Sequence, residues 1–119
     1  MTPDTVVNGG EVKSGNDIKV KAGSIVEVQF AQAYADKEVW WFAGTNYTGK
    51  DFFLFQDFRG VIENGQAMIH KPGKKFFRFR APSLGAMTLK FHFGQKVDDW
   101  RKQVSAPYDR ELSVTFTSE

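Results

Sequence analysis

The residues of this 119-residue chain that could do chemistry are few, and their spacing argues against catalysis. His70 and His92 are the only histidines, no His-x-x-x-His pair exists, and there is no cysteine. Thiolate metal sites, cysteine nucleophiles and disulfides are therefore excluded. Asp98-Asp99 is an adjacent acidic pair, but neighbouring carboxylates in a polar run are ordinarily solvated rather than catalytic. No glycine-rich turn separates a strand from a helix, so no phosphate cradle is expected. Asn46-Tyr47-Thr48 is a glycosylation sequon, a triplet that is frequent by chance. The expectation is a non-enzymatic protein with no cofactor and no metal. Trp100, set among Asp98, Asp99, Arg101 and Lys102 with Tyr108 following, remains. Trp, Tyr and Arg are the residue types that dominate interface energetics, so the chemistry on offer is recognition.

Two well-patterned strands must position that tryptophan. Met87, Leu89, Phe91 and Phe93 alternate with Thr88, Lys90 and His92; Leu112, Val114 and Phe116 alternate with Ser113 and Thr115. Period-two alternation marks strands with one buried and one wet face. The residues between them, Gly94 to Glu111, far exceed a hairpin loop, and a structureless connection that long is uncommon without a function.

The same reading extends upstream. Thr5 to Val7 and Glu11 to Lys13 are short β-prone pieces in a polar, glycine-containing start (Asn8-Gly9-Gly10, Ser14-Gly15-Asn16). Asp17 to Lys21 is a strand, and Ile25 to Phe30 puts Val26, Val28 and Phe30 on one face and Glu27 and Gln29 on the other. Ala31 to Lys37 is a connection and Glu38 to Ala43 an aromatic strand. Its adjacent Trp40 and Trp41 must face opposite sides, one inward and one outward. Asp51 to Phe58 does not alternate cleanly, but its phenylalanines and lack of a cap favour strand over short helix. Asn64-Gly65 is a strong hairpin signal between Val61 to Glu63 and Ala67 to Ile69. Lys75 to Ala81 alternates Phe77 and Phe79 against Phe76, Arg78 and Arg80.

Turn signals about every ten residues and no convincing helix predict an all-β fold, an immunoglobulin-like antiparallel β-sandwich of seven to nine strands. One domain over residues 1–119 is expected, with 1–14 a loosely ordered N-terminal segment. Eighteen aromatic residues, 15% of the chain, require a ring-rich core. The formal charge of +2 is too small to imply a nucleic-acid partner. No run approaches the length of a membrane span, and Met1-Thr2-Pro3-Asp4 lacks the basic and apolar parts of a leader. A soluble, cytoplasmic protein is the default, or a secreted or lysosomal one if a leader has been removed.

Three recognition modes fit these residues. Lys74, Phe76, Arg78 and Arg80 share one side of a strand, with Lys90 and His92 on the polar side of the next, a basic-aromatic face of the kind that binds single-stranded nucleic acid. This is the least favoured mode, because Lys and Arg commonly just solubilise a face. Exposed Trp and Tyr rings could stack on carbohydrate, as in β-sandwich carbohydrate-binding modules, although one loop tryptophan is far from a platform. Protein binding through loops is favoured. In a sandwich alternate connections emerge at one end, which would cluster Ala31 to Lys37, Val61 to Lys71 and Gly94 to Tyr108. The competing expectation for Trp100 is that it folds back over the end of the core.

The chain resembles the chagasin-like inhibitors of papain-type cysteine peptidases over about residues 15 to 117. Val20-Lys21-Ala22-Gly23-Ser24-Ile25-Val26-Glu27-Val28 is similar to that family's opening strand. Trp40 or Trp41 stands where it has an aromatic after its first binding loop. Phe77-Arg78-Phe79 through Gly85, Leu89 and Phe91 looks like its paired strands, and Trp100 falls in the loop bearing its arginine-proline-tryptophan motif. In place of the family's Asn-Pro-Thr-Thr-Gly motif this chain has Gln32-Ala33-Tyr34-Ala35-Asp36-Lys37. The glycine-rich middle loop is reduced to Asn64-Gly65-Gln66, and no Arg-Pro precedes Trp100. The resemblance implies an immunoglobulin-like fold and reversible, non-covalent occlusion of a papain-like cysteine peptidase. By that analogy the first loop contributes Tyr34, Asp36 and Lys37, the second Asn64 and Gln66, and the third Trp100 and Arg101.

Overall fold

The computed structural model describes residues 2–13 and 15–119; Met1 and Ser14, the latter part of the expected Ser14-Gly15-Asn16 turn, lie outside the described residues. In chain order the strands are β1 (Thr5–Asn8), β2 (Ile18–Val20), β3 (Ile25–Gln32), β4 (Glu38–Thr45), β5 (Phe53–Arg59), β6 (Ile62–Glu63), β7 (Gln66–Ala67), β8 (Gly73–Arg80), β9 (Ala86–Gln95) and β10 (Arg110–Ser118). Eight of them form two four-stranded sheets, ordered β1-β3-β8-β5 and β2-β10-β9-β4, while β6 and β7 pair only with each other. The expected seven to nine strands match the sandwich itself; the extra pair is a two-residue-a-side hairpin. Its tip has Asn64 and Gly65 both at positive φ, 52° and 76°, as the tight turn matching strand twist requires.

The antiparallel expectation needs one correction. β1 runs parallel to β3 and β2 parallel to β10, so both sheets are mixed. Each parallel strand is a short edge piece added beside a long antiparallel one, and three or four alternating residues carry no sign of strand direction.

The core lies between the sheets because the apolar alternation of both points inward. Val26, Val28 and Phe30 of β3 meet Phe77 and Phe79 of β8 on one side, and Met87, Leu89, Phe91, Val114 and Phe116 on the other. The rings pack tilted and edge-on: Phe77 and Phe30 lie 5.2 and 5.3 Å from Phe91. Such arrangements suit the ring quadrupole better than face-to-face stacking. β5 fails to alternate because its register with β8 shifts between Phe53 and Phe55. A bulge of this kind leaves one residue, here Leu54, out of phase.

The outward faces are not uniformly wet. Glu27, on the face opposite Val26 and Val28, is only 4% exposed. Its Oε1 accepts from Arg78 Nε at 2.6 Å and its Oε2 from Gln29 Nε2 at 2.5 Å. The Arg78 guanidinium in turn lies over Phe55 and Phe76, 4.9 and 5.3 Å from the ring centroids. The expected basic-aromatic surface is also divided. β8 and β9 belong to different sheets. Lys74, Phe76, Arg78 and Arg80 therefore face away from Lys90 and His92, and Phe76 is buried beneath arginines. Consecutive strands in a sandwich often cross between sheets, which local alternation cannot show.

Candidate binding end

Strand directions bring three connections to one end of the sandwich. Gln32, closing β3, pairs with Gly73, opening β8; Arg59, closing β5, pairs with Lys74. Glu38, opening β4, pairs with Gln95, closing β9, and Arg110 of β10 pairs with Phe93. The β3–β4 segment (33–37), the β5–β8 segment (60–72) and the β9–β10 segment (96–109) thus emerge together.

Backbone hydrogen bonds join them. Ala35 N–H donates to the Ile69 carbonyl at 2.9 Å, linking the first connection to the second, and Lys96 N–H donates to the Lys37 carbonyl at 2.9 Å, linking the third to the first. The Tyr34 ring lies edge-on to Phe58 at 5.0 Å and close over Gly60. Asp36 turns inward to its own loop: Oδ2 accepts the Ala33 amide at 2.8 Å, closing a local turn. Asp36 therefore shapes the first loop. Lys37 is exposed, and Asn64 and Gln66 form the exposed hairpin tip.

The long third connection is not structureless, and no helix had been expected there. Trp100–Ser105 forms a 3-10 helix whose N-cap Asp99 accepts the Arg101 amide at 3.1 Å. The same carboxylate oxygen accepts from Arg101 Nε at 3.1 Å, so Arg101 folds along its own cap. Gln103 anchors the unit from below, with Nε2 donating to the Gln95 carbonyl and Oε1 accepting the Val97 amide. At the base Gly94 is buried, and a Cβ there would meet the Pro107 carbonyl oxygen at 2.8 Å, so the returning chain presses directly on β9. Tyr108 stacks on His92 with centroids 3.6 Å apart, and His92 Nε2 lies 2.9 Å from Glu111 Oε2.

The three tryptophans take three different environments. Trp40 faces inward and stacks on Phe30 at 4.4 Å. Trp41 faces outward, yet is 6% exposed, because the third connection folds back onto β4. Trp100 is 79% exposed at the surface of that fold. Of the two expectations for Trp100, folding back over the core is the one the geometry does not support; the neighbouring segment covers Trp41 instead.

Sequence reasoning passed over several residues of this end. Ile62 and Ile69 flank the hairpin and Val104 follows Trp100, all exposed. Gln103 sets the position of the 3-10 helix. The one available signal was an isoleucine on either side of a polar Asn-Gly tip, which a purely solvated hairpin would not need.

Ionisation is perturbed at the stems. The hydrogen-bonded Asp109 carboxyl, aided by desolvation, raises Glu38 above its ordinary value, while the hydrogen bond from His92 lowers Glu111. Among the described residues no group of three or more His, Asp or Glu side chains is placed to hold a metal ion, and no helix is long and apolar enough to cross a membrane.

The chain shares its fold with a cysteine protease inhibitor. That protein, EhICP2 from Entamoeba histolytica, superposes with a TM-score of 0.60 at 12% identity, covering 99% of this chain and 100% of its own. Amebosin follows with a TM-score of 0.57 at 12% identity, over 98% and 97% of the two chains. PbICP-C, solved in complex with falcipain-2, gives 0.50 at 10% identity over 97% and 99%. No family model and no curated protein matches the sequence. At these identities the likeness is one of fold, covering 97–99% of this chain, and that fold is an immunoglobulin-like sandwich.

Proposed function

We propose that this protein is a reversible, non-covalent inhibitor of papain-like cysteine peptidases, binding through the three connections at one end of the sandwich. The observation that carries the reading is their union by the Ala35–Ile69 and Lys96–Lys37 hydrogen bonds, with Trp100 left exposed beside them. Aromatic side chains held out on a fixed backbone lose little entropy on docking, which is what a steric wedge needs. The exposed apolar residues of this end (Tyr34, Ile62, Ile69, Trp100, Val104 and Tyr108) supply area to bury. Asn64, Gln66, Lys37 and Arg101 supply a polar rim, and Asp36 holds the first loop in shape. The fold shared with EhICP2, a cysteine protease inhibitor, and with PbICP-C, which binds falcipain-2, supports the same direction.

Titrating papain with the protein tests the reading. Reversible inhibition at or below micromolar concentration is expected, without cleavage of the inhibitor. Full papain activity in the presence of micromolar protein overturns it.

A further inference from the structure

Beside the loop end a groove of about 470 Å³ runs between the outermost strands of the two sheets, β4 and β5, overhung by the 3-10 helix. Its apolar lining includes Trp40, Phe42, Phe53 and Phe58. Its charged lining is one-sided: Lys75, Lys96 and Arg101 contribute, and no carboxylate does among the described residues. In a chain of formal charge +2 this is a local concentration of positive charge. A second cleft, lined from Asn8 to Leu112 and sharing Trp40 with the groove, differs: Asp36, Glu38 and Glu111 there offset Lys37 and Arg110.

Arg101 has Asp99 as its partner. Lys75 and Lys96 have no carboxylate within ion-pair distance among the described residues. Lys75 is half-buried; burial and then the neighbouring Lys96 charge hold its ammonium below the usual lysine range. Asp57 acts on it from outside the groove, with Oδ1 already accepting the Phe58 amide at 2.8 Å. A half-buried cation beside a second cation is destabilising by itself. Two further lining groups, the donor Nε1 of Trp41 and the acceptor Oε1 of Gln32, are buried without a hydrogen-bond partner, which main-chain and side-chain groups of a bound peptide could supply.

We propose that this groove binds an extended polypeptide segment carrying an acidic side chain between apolar ones. The carboxylate is received by Lys75 and Lys96, and the apolar neighbours lie on Phe53, Phe58 and the Trp40–Phe42 edge. Charge complementarity argues for an acidic occupant. The groove lies between two terminal strands whose outer edges have no strand partner among the described residues and can hydrogen-bond a main chain, which favours an extended occupant. This surface adjoins the loop end and shares Trp100, Arg101 and Val104 with it, but the proposal does not rest on the inhibitor reading.

The probe is the peptide acetyl-Phe-Glu-Phe-Glu-Phe-amide, with its Gln-for-Glu counterpart as control, followed by tryptophan fluorescence and backbone amide chemical shifts. The acidic peptide is expected to bind, to weaken with added salt, and to shift amides of β4, β5 and residues 96–104. Lys75→Met and Lys96→Met should each weaken it about tenfold, the loss typical of one hydrogen bond to a charged group. Removing a poorly solvated charge should also raise the melting temperature of Lys75→Met, which separates lost binding from lost folding. Equal binding of both peptides, unchanged binding by both variants, or no binding at millimolar acidic peptide overturns the proposal. A parent that sediments as a dimer while the variants sediment as monomers also overturns it, assigning the groove to a second copy of the chain. Papain plays no part in these readouts, so the two proposals stand or fall separately.

Discussion

Replacing Trp100 with alanine separates an interface anchor from a piece of the fold. An aromatic side chain presents roughly 150–250 Å² of surface, so a tryptophan 79% exposed keeps on the order of 160 Å² free for a partner. At ~25 cal/mol per Å² full burial of that area is worth up to about 4 kcal/mol, while the floor for an interface hot spot is about 2 kcal/mol. The inhibition constant against papain should therefore rise between ~30-fold and ~1,000-fold in Trp100→Ala. Unfolding in urea should change by no more than about 0.5 kcal/mol, because the exposed ring contributes little to the folded state. Trp41→Ala is the internal contrast. That ring is 6% exposed beneath the third connection, and its loss should cost about 3 kcal/mol or more of stability. Progress curves at several inhibitor concentrations and a urea titration give both numbers from the same preparations. A parent that inhibits while Trp100→Ala inhibits within threefold of it refutes the anchor role. A Trp100→Ala protein that loses 2 kcal/mol or more of folding stability refutes the geometric reasoning itself.

Other expectations concern the charges that hold the scaffold. Glu27→Gln should lose about 3 kcal/mol in urea denaturation, since it removes the negative charge of an ion pair in which Glu27 is 4% exposed; a loss under 1 kcal/mol would show the pair to be incidental. Glu38 and Glu111 should tilt the pH dependence in opposite directions. The folded-state pKa of Glu38 is raised, so its contribution is complete below the ordinary glutamate value and disappears as pH rises through the folded one. Glu38→Gln should then melt higher than the parent at neutral pH and show no such gain in acid. Glu111 is lowered by His92, so its contribution is present above the ordinary value and disappears as pH falls through the folded one. Glu111→Gln should melt lower than the parent at pH 6 to 7 and approach it in acid, and melting differences of the same sign for both variants would contradict this assignment.

Much of the fold was legible in the chain because sandwich strands advertise themselves. Alternation in β3, β8, β9 and β10 identifies the residues that face the core, although Glu27 and Phe76 on the opposite faces are buried as well, and Asn64-Gly65 specifies its turn through backbone angles that few other pairs adopt. The adjacency of Trp40 and Trp41 in a strand by itself requires opposite orientations. These are local properties, set by the two-residue period and by φ alone.

What only the tertiary structure decided is how those faces meet. The parallel placement of β1 and β2 depends on which neighbouring edge is free, and the assignment of β8 and β9 to different sheets divides the basic residues between two surfaces. The pairing of Glu27 with Arg78 spans 51 positions, and the joining of three connections rests on two backbone hydrogen bonds between segments far apart in sequence. The burial of Trp41 under the segment that exposes Trp100 follows from the fold of 96–109, including Gln103. The sequence by itself determined which residues turn inward, because inward facing is a matter of local pleat. Which outward residues share a surface is a matter of long-range packing, and the proposed binding depends on that surface.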